Sequence, residues 1–134
     1  MATAPLKVSY VLLCDDVRTE DNGKLIIVGL YSNGITLPKG SQSFTAPLTF
    51  LIHGQLPVGK AVHIITWVEG NNGQRLAESD FGDMQLPENA AAMPAQIVWR
   101  IFPWHSGGLG KFKLHMTQNG QDSVIFEFEL TVTS

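Results

Sequence analysis

Cys14, Asp15, Asp16 and Arg18 stand together in "LLCDDVRTEDNGK" (12–24), a thiol and two carboxylates beside a guanidinium. One chemistry open to such a group is nucleophilic. A cysteine nucleophile needs a base and a lowered pKa, whereas alternation along "YVLLC" places Cys14 inward with Tyr10 and Leu12, as a buried small hydrophobe. The other chemistry is metal binding. Asp15 and Asp16 could join Glu78, Asp80 and Asp83 of "AESDFGD" at one end of the molecule and offer oxygens to calcium, an ion that takes six to eight of them. The spaced acidic loop of the EF-hand is absent. The simpler expectation is that Asp15 or Asp16 accepts loop amides or pairs with Arg18 at a bend.

The histidines, His53, His63, His105 and His115, never fall at H-x-H or H-x-x-x-H spacing, so no local zinc pattern exists. His115 alternates outward beside lysines and reads as a solvated residue, while His53 and His63 lie on consecutive strands. No G-x-S-x-G, P-loop or G-x-G-x-x-G occurs. "HSGGLGK" (105–111) precedes a strand, so no helix N-terminus is there to hold an anion. The expectation is a chain that is not an enzyme and carries no cofactor.

The elements that position these residues are strands. "FKLHM" and "VIFEFELTV" alternate apolar and polar residues, and Gly or Pro interrupts any helical period. Strands are expected over 6–14, 16–20, 24–31, 46–54, 60–69, 74–80, 95–102 and 110–118 followed by 122–133, with long loops at 32–45 and 81–94. "PENAAAMPAQ" could hold one helical turn between Pro87 and Pro94. The reading is all-β: one domain over 1–134, an antiparallel β-sandwich of about eight strands, immunoglobulin-like or C2-like.

Three Asn-Gly turns, in "EDNGK", "EGNNGQR" and "TQNGQD", link strands. Side-chain parity favours three-residue loops closed by a glycine bulge. That register pairs Glu20 with Lys24, Glu69 with Arg75, Val68 with Leu76, Leu114 with Val124, Phe112 with Phe126 and Lys111 with Glu127. The acidic residues after Arg18 are then explained by a turn.

Nine Lys plus Arg against twelve Asp plus Glu, scattered along the chain, give no nucleic-acid footprint. No apolar run reaches the roughly 18 residues of a membrane span, and the N-terminus shows no signal peptide. A lone cysteine forms no internal disulfide and suits the reducing cytoplasm.

Charged residues are only 16% of the chain, against about 25% in ordinary domains, which points to covered surface. Apolar residues also fall on faces that alternation assigns to water. Leu51, Ile65, Trp67, Phe102 and Trp104 are the interface candidates, for a protein partner or a second copy in a homo-oligomer. The rival is a ligand-binding sandwich. It would take calcium at Asp15, Asp16, Asp80 and Asp83, or a glycan on the tryptophans with Arg100 and His105.

"LCDDVR" followed by "GKL-x-I-x-G-x-Y", within Tyr10 to Ile35, resembles the opening block of an uncharacterised family of small bacterial domains. "GKFKLHMTQNGQDSVIFEFELTV" is similar to that family's closing hairpin. The resemblance implies a bacterial or phage source and a compact β-domain; it names no ligand and transfers no functional residue.

Overall fold

The alternating segments become nine strands in the computed structural model, which describes residues 6–32, 34–56, 61–85 and 93–133. They are β1 (Lys7–Thr19), β2 (Leu25–Tyr31), β3 (Ile35–Leu37), β4 (Thr45–Leu56), β5 (Val62–Glu69), β6 (Arg75–Met84), β7 (Met93–His105), β8 (Gly110–Gln118) and β9 (Gln121–Val132). One sheet has the order β2-β1-β4-β7, the other β3-β9-β8-β5-β6. Inward rows such as Leu13–Phe50–Trp99 from the first sheet and Phe112, Leu114, Met116 and Phe128 from the second share one core. Each such side chain contributes about 1.5–3 kcal/mol when buried.

Several expectations change. The break expected near Asp15 is absent, and β1 runs unbroken through it. The expected loop at 32–45 contains β3, which pairs in parallel with β9, so the pairing is not wholly antiparallel. The expected loop at 81–94 is partly strand at both ends, and the candidate helical turn falls largely on residues 86–92, outside the described residues.

Two of the three turns have the expected loop length. Glu20 and Lys24 close the first through Glu20 N to Lys24 O at 2.8 Å, with Gly23 at a φ of 84°. Glu69 faces Arg75 at the second, but a bulge at Leu76 sets Val68 opposite Ala77. The third is the two-residue turn that parity argued against. Gln118 pairs with Gln121, and Asn119 and Gly120 take φ values of 48° and 84°, the left-handed pair a type I′ turn requires. A bulge at Ile125 then restores parity, pairing Leu114 with Phe126, Phe112 with Phe128 and Lys111 with Glu129. Val124 consequently lies opposite His115 rather than facing the core.

The first sheet is forked. β1 pairs with β4 as far as Cys14 opposite Thr49, and with β2 from Leu13 to Thr19. From Leu48 back to Thr45, β7 is the partner that β4 keeps among the described residues. The far half of the β1–β2 hairpin is thereby free to leave the plane of the sheet.

Candidate functional site

The row Leu12–Leu51–Val98 faces away from the shared core, as does Cys14–Thr49–Arg100 next to it. Yet Cys14 and Leu51 are buried, and with Val17 they form a second apolar cluster flanked by Leu12, Leu25, Ile27 and Val98. The hairpin itself supplies the cover. Thr49 Oγ1 donates to the Asp15 carbonyl at 3.1 Å, and Arg100 reaches across β4 to Asp16 and to the carbonyl of Val17. Burial, with the charges of Asp15 and Asp16, pushes the Cys14 thiol up, away from the thiolate a nucleophile needs.

The two aspartates lock this fold-over. Asp15 lies across the hairpin against Gly29, where a Cβ would stand 2.1 Å from Asp15 Oδ2; the φ of 67° there also favours glycine. Tyr31 donates its hydroxyl to Asp15 Oδ1 at 2.7 Å, and burial with that bond raises the phenol to about 12. Asp16 accepts Arg100 Nε at 3.2 Å, its own neighbour's amide, Val17 N, at 2.8 Å, and Arg18 Nε at 3.5 Å. The Arg100 bond, then the Val17 amide, hold its carboxyl below the usual range. Thus Asp15 of "LCDDVR" meets Gly29 and Tyr31 of "GKL-x-I-x-G-x-Y": the block's two halves are packing partners.

Where the hairpin departs from β4 it leaves a cleft of about 470 Å³. Asp15, Asp16, Arg18 and Val28 line one side, Pro47 and Thr49 the strand beneath, and Arg100, Ile101 and Phe102 the other side. Phe102 is 80% exposed on this rim. Ile26, Leu30 and Tyr10 are further exposed large apolar side chains on the same sheet.

The expected interface residues therefore separate. Phe102 is open and Ile65 half-buried, but Leu51 is 2% exposed beneath the hairpin and Trp104 1% exposed inside the shared core against Phe112 and Phe128. Trp67 faces outward from the second sheet and is still 9% exposed. His115 stacks on one side of its indole at 3.8 Å, Arg75 lies over the ring at 4.0 Å, and its Nε1 donates to Asp122 at 2.9 Å. Trp99 is buried as well, so the tryptophans offer no open stacking platform for a glycan.

The carboxylates of the calcium alternative are not gathered into one group among the described residues. Asp15 and Asp16 belong to the first sheet, Asp80 and Asp83 to the second. Asp83 lies 2.8 Å from His63 Nδ1 and Asp80 3.0 Å from His63 Nε2. Among the described residues no group of three or more His, Cys, Asp or Glu could hold a metal ion, and no helix is long and apolar enough to cross a membrane.

His115, expected in solvent, is buried between Asp122 at 2.6 Å and Glu69 at 2.9 Å. Alternation assigned its face correctly, but Trp67 and Glu69 of β5 and Asp122 of β9 cover it there. The cleft was missed for a related reason: Arg100 is 84 residues from Asp16 in sequence. The one signal was the exposed-parity apolar run through Phe102.

No family model matches the chain, and no curated protein matches it.

Proposed function

We propose that this protein is a non-catalytic interaction module that self-associates through the outer face of its four-stranded sheet, around the cleft. The observation that carries this reading is Phe102, a large apolar side chain 80% exposed at the rim of a cleft it does not fill. Exposed apolar area concentrated beside a concavity is the usual mark of a contact surface. The cleft's charges suit a second copy. Carboxylates (Asp15, Asp16) and guanidinium groups (Arg18, Arg100) line the same cleft, so its charge is mixed and a second copy of it is not repelled. Within the two-sheet class we read a sandwich of the immunoglobulin-like or C2-like kind. The buried free thiol of Cys14 suits the cytoplasm. The resemblance to small bacterial domains belongs to the same reading.

Sedimentation equilibrium of the wild type and Phe102→Ser tests it. The wild type should be multimeric at micromolar concentration and the variant monomeric, with the same denaturation midpoint in dilute solution. A wild-type monomer, or a multimer indifferent to Phe102→Ser, would overturn the proposal.

A further inference from the structure

The outer face of the five-stranded sheet carries two histidines in the same unusual setting. Both ring nitrogens of His63 face carboxylates, Asp83 at 2.8 Å and Asp80 at 3.0 Å. Both ring nitrogens of His115 do so too, Asp122 at 2.6 Å and Glu69 at 2.9 Å. A neutral imidazole has one N–H; its other nitrogen is an acceptor and repels an ionised carboxylate. Each bridge is complete only when the ring carries both protons.

We propose that this face is a proton-operated clamp, in which doubly protonated His63 holds β6 to β5 and doubly protonated His115 holds β5 to β9 across β8, each releasing one carboxylate when its ring becomes neutral. The groups around each ring define what moves. At His63 the charged neighbours are Asp80 and Asp83 from β6; Asn119, from the β8–β9 turn, is neutral and binds only the His63 backbone. At His115 they are Glu69 from β5 and Asp122 from β9, with Lys113 of β8 opposite Glu69. Arg75 of β6 lies over Trp67, the ring that stacks on His115, and pairs with Glu78.

Asp122 also accepts Trp67 Nε1 and Thr117 Oγ1, whereas Glu69 has no second side-chain partner among the described residues. Glu69 is therefore the arm that lets go. The carboxylates favour the closed state: the bonds from Asp83, then Asp80, raise the pKa of His63. Burial opposes the charge of Asp122, and the bonds from Trp67, His115 and Thr117 outweigh it, so its pKa is lowered.

The test is ring-nitrogen NMR of the wild type from about pH 5 to about pH 8, the range in which histidines titrate, alongside urea denaturation of wild type, His63→Gln, His115→Gln and the double variant. Both rings should show two N–H groups at the acid end. The wild-type midpoint should fall as pH rises through this range, and the double variant should show a clearly smaller fall. A fall as steep in the double variant as in the wild type would overturn the clamp. Where His115→Gln does not fold, the wild-type spectra decide: a single N–H on His63 and His115 at the acid end refutes it.

Discussion

The outer faces of the two sheets solve the same problem differently. Each carries apolar side chains at positions that strand alternation points toward water. On the five-stranded sheet, Trp67 is roofed by polar groups, with Arg75 and His115 on its ring and Asp122 on its Nε1. On the four-stranded sheet, Leu51 and Cys14 are roofed by a folded-over piece of the sheet itself, and the fold-over ends short of Phe102. An apolar residue of outward parity is thus no mark of an interface until its local cover has been accounted for. Phe102 passes that test, and Trp67 and Leu51 do not.

The largest effect should come from a residue first suspected of facing a partner. Trp104→Ala empties a site packed by Phe44, Phe112 and Phe128 and should cost about 3–5 kcal/mol of folding stability, measured by denaturant titration. A loss below about 1 kcal/mol, with association abolished, would return Trp104 to the interface and blur the contrast with Phe102.

Next is the roof of the forked sheet. Gly29→Ala meets both a φ of 67° and the Asp15 carboxylate, a combination worth about 1–3 kcal/mol. Pairing it with Asp15→Ala removes the collision but leaves the backbone strain, so the double variant should recover part of the loss. Full recovery would mean that the left-handed backbone contributes nothing. A related probe on the other face is Trp67→Ala, which should cost about 2 kcal/mol of stability through lost burial and cation–π contact and leave sedimentation unchanged. A drop in association at constant stability would make Trp67 a contact residue after all.

What could be read from the sequence divides along the range of the interaction. The Glu20–Lys24 turn and the register of Glu69 opposite Arg75 are local, and side-chain parity with loop length was enough to find them, although the Arg75 side chain pairs with Glu78. The β8–β9 turn was misread because parity assumes an uninterrupted ladder. The bulge at Ile125 breaks that assumption within five residues of Gly120 while leaving Phe112, Leu114 and Met116 inward as expected. The cleft was the least legible feature. "CDDVR" was recognised as structural, but that Asp16 holds a hairpin down through Arg100 depends on β7 lying two strands away from β1, and a single sequence contains no record of sheet order. The metal alternative depended in the same way on how the two sheets sit together, and among the described residues its carboxylates form no group of three or more ligands.

The smallest effect separates the two faces by their pH response. Asp16, Asp80 and Asp122 have carboxyls lowered in the folded state from an ordinary 3.8. The stability they add is present above that value and lost as pH falls through their folded values, so acid weakens both faces. His63 is raised above 6.5, so its contribution is complete below 6.5 and lost as pH rises through the folded value. Between about pH 6 and about pH 8, rising pH should therefore act on one face alone. Amide-exchange protection, corrected for intrinsic rates, should fall from about pH 6 to about pH 8 for β5 and β6 near His63, while β1 and β2 around Asp16 keep theirs. Equal loss on both sheets would show that the fork is no more independent of histidine charge than the clamp, and the two roofs would then be one cooperative surface.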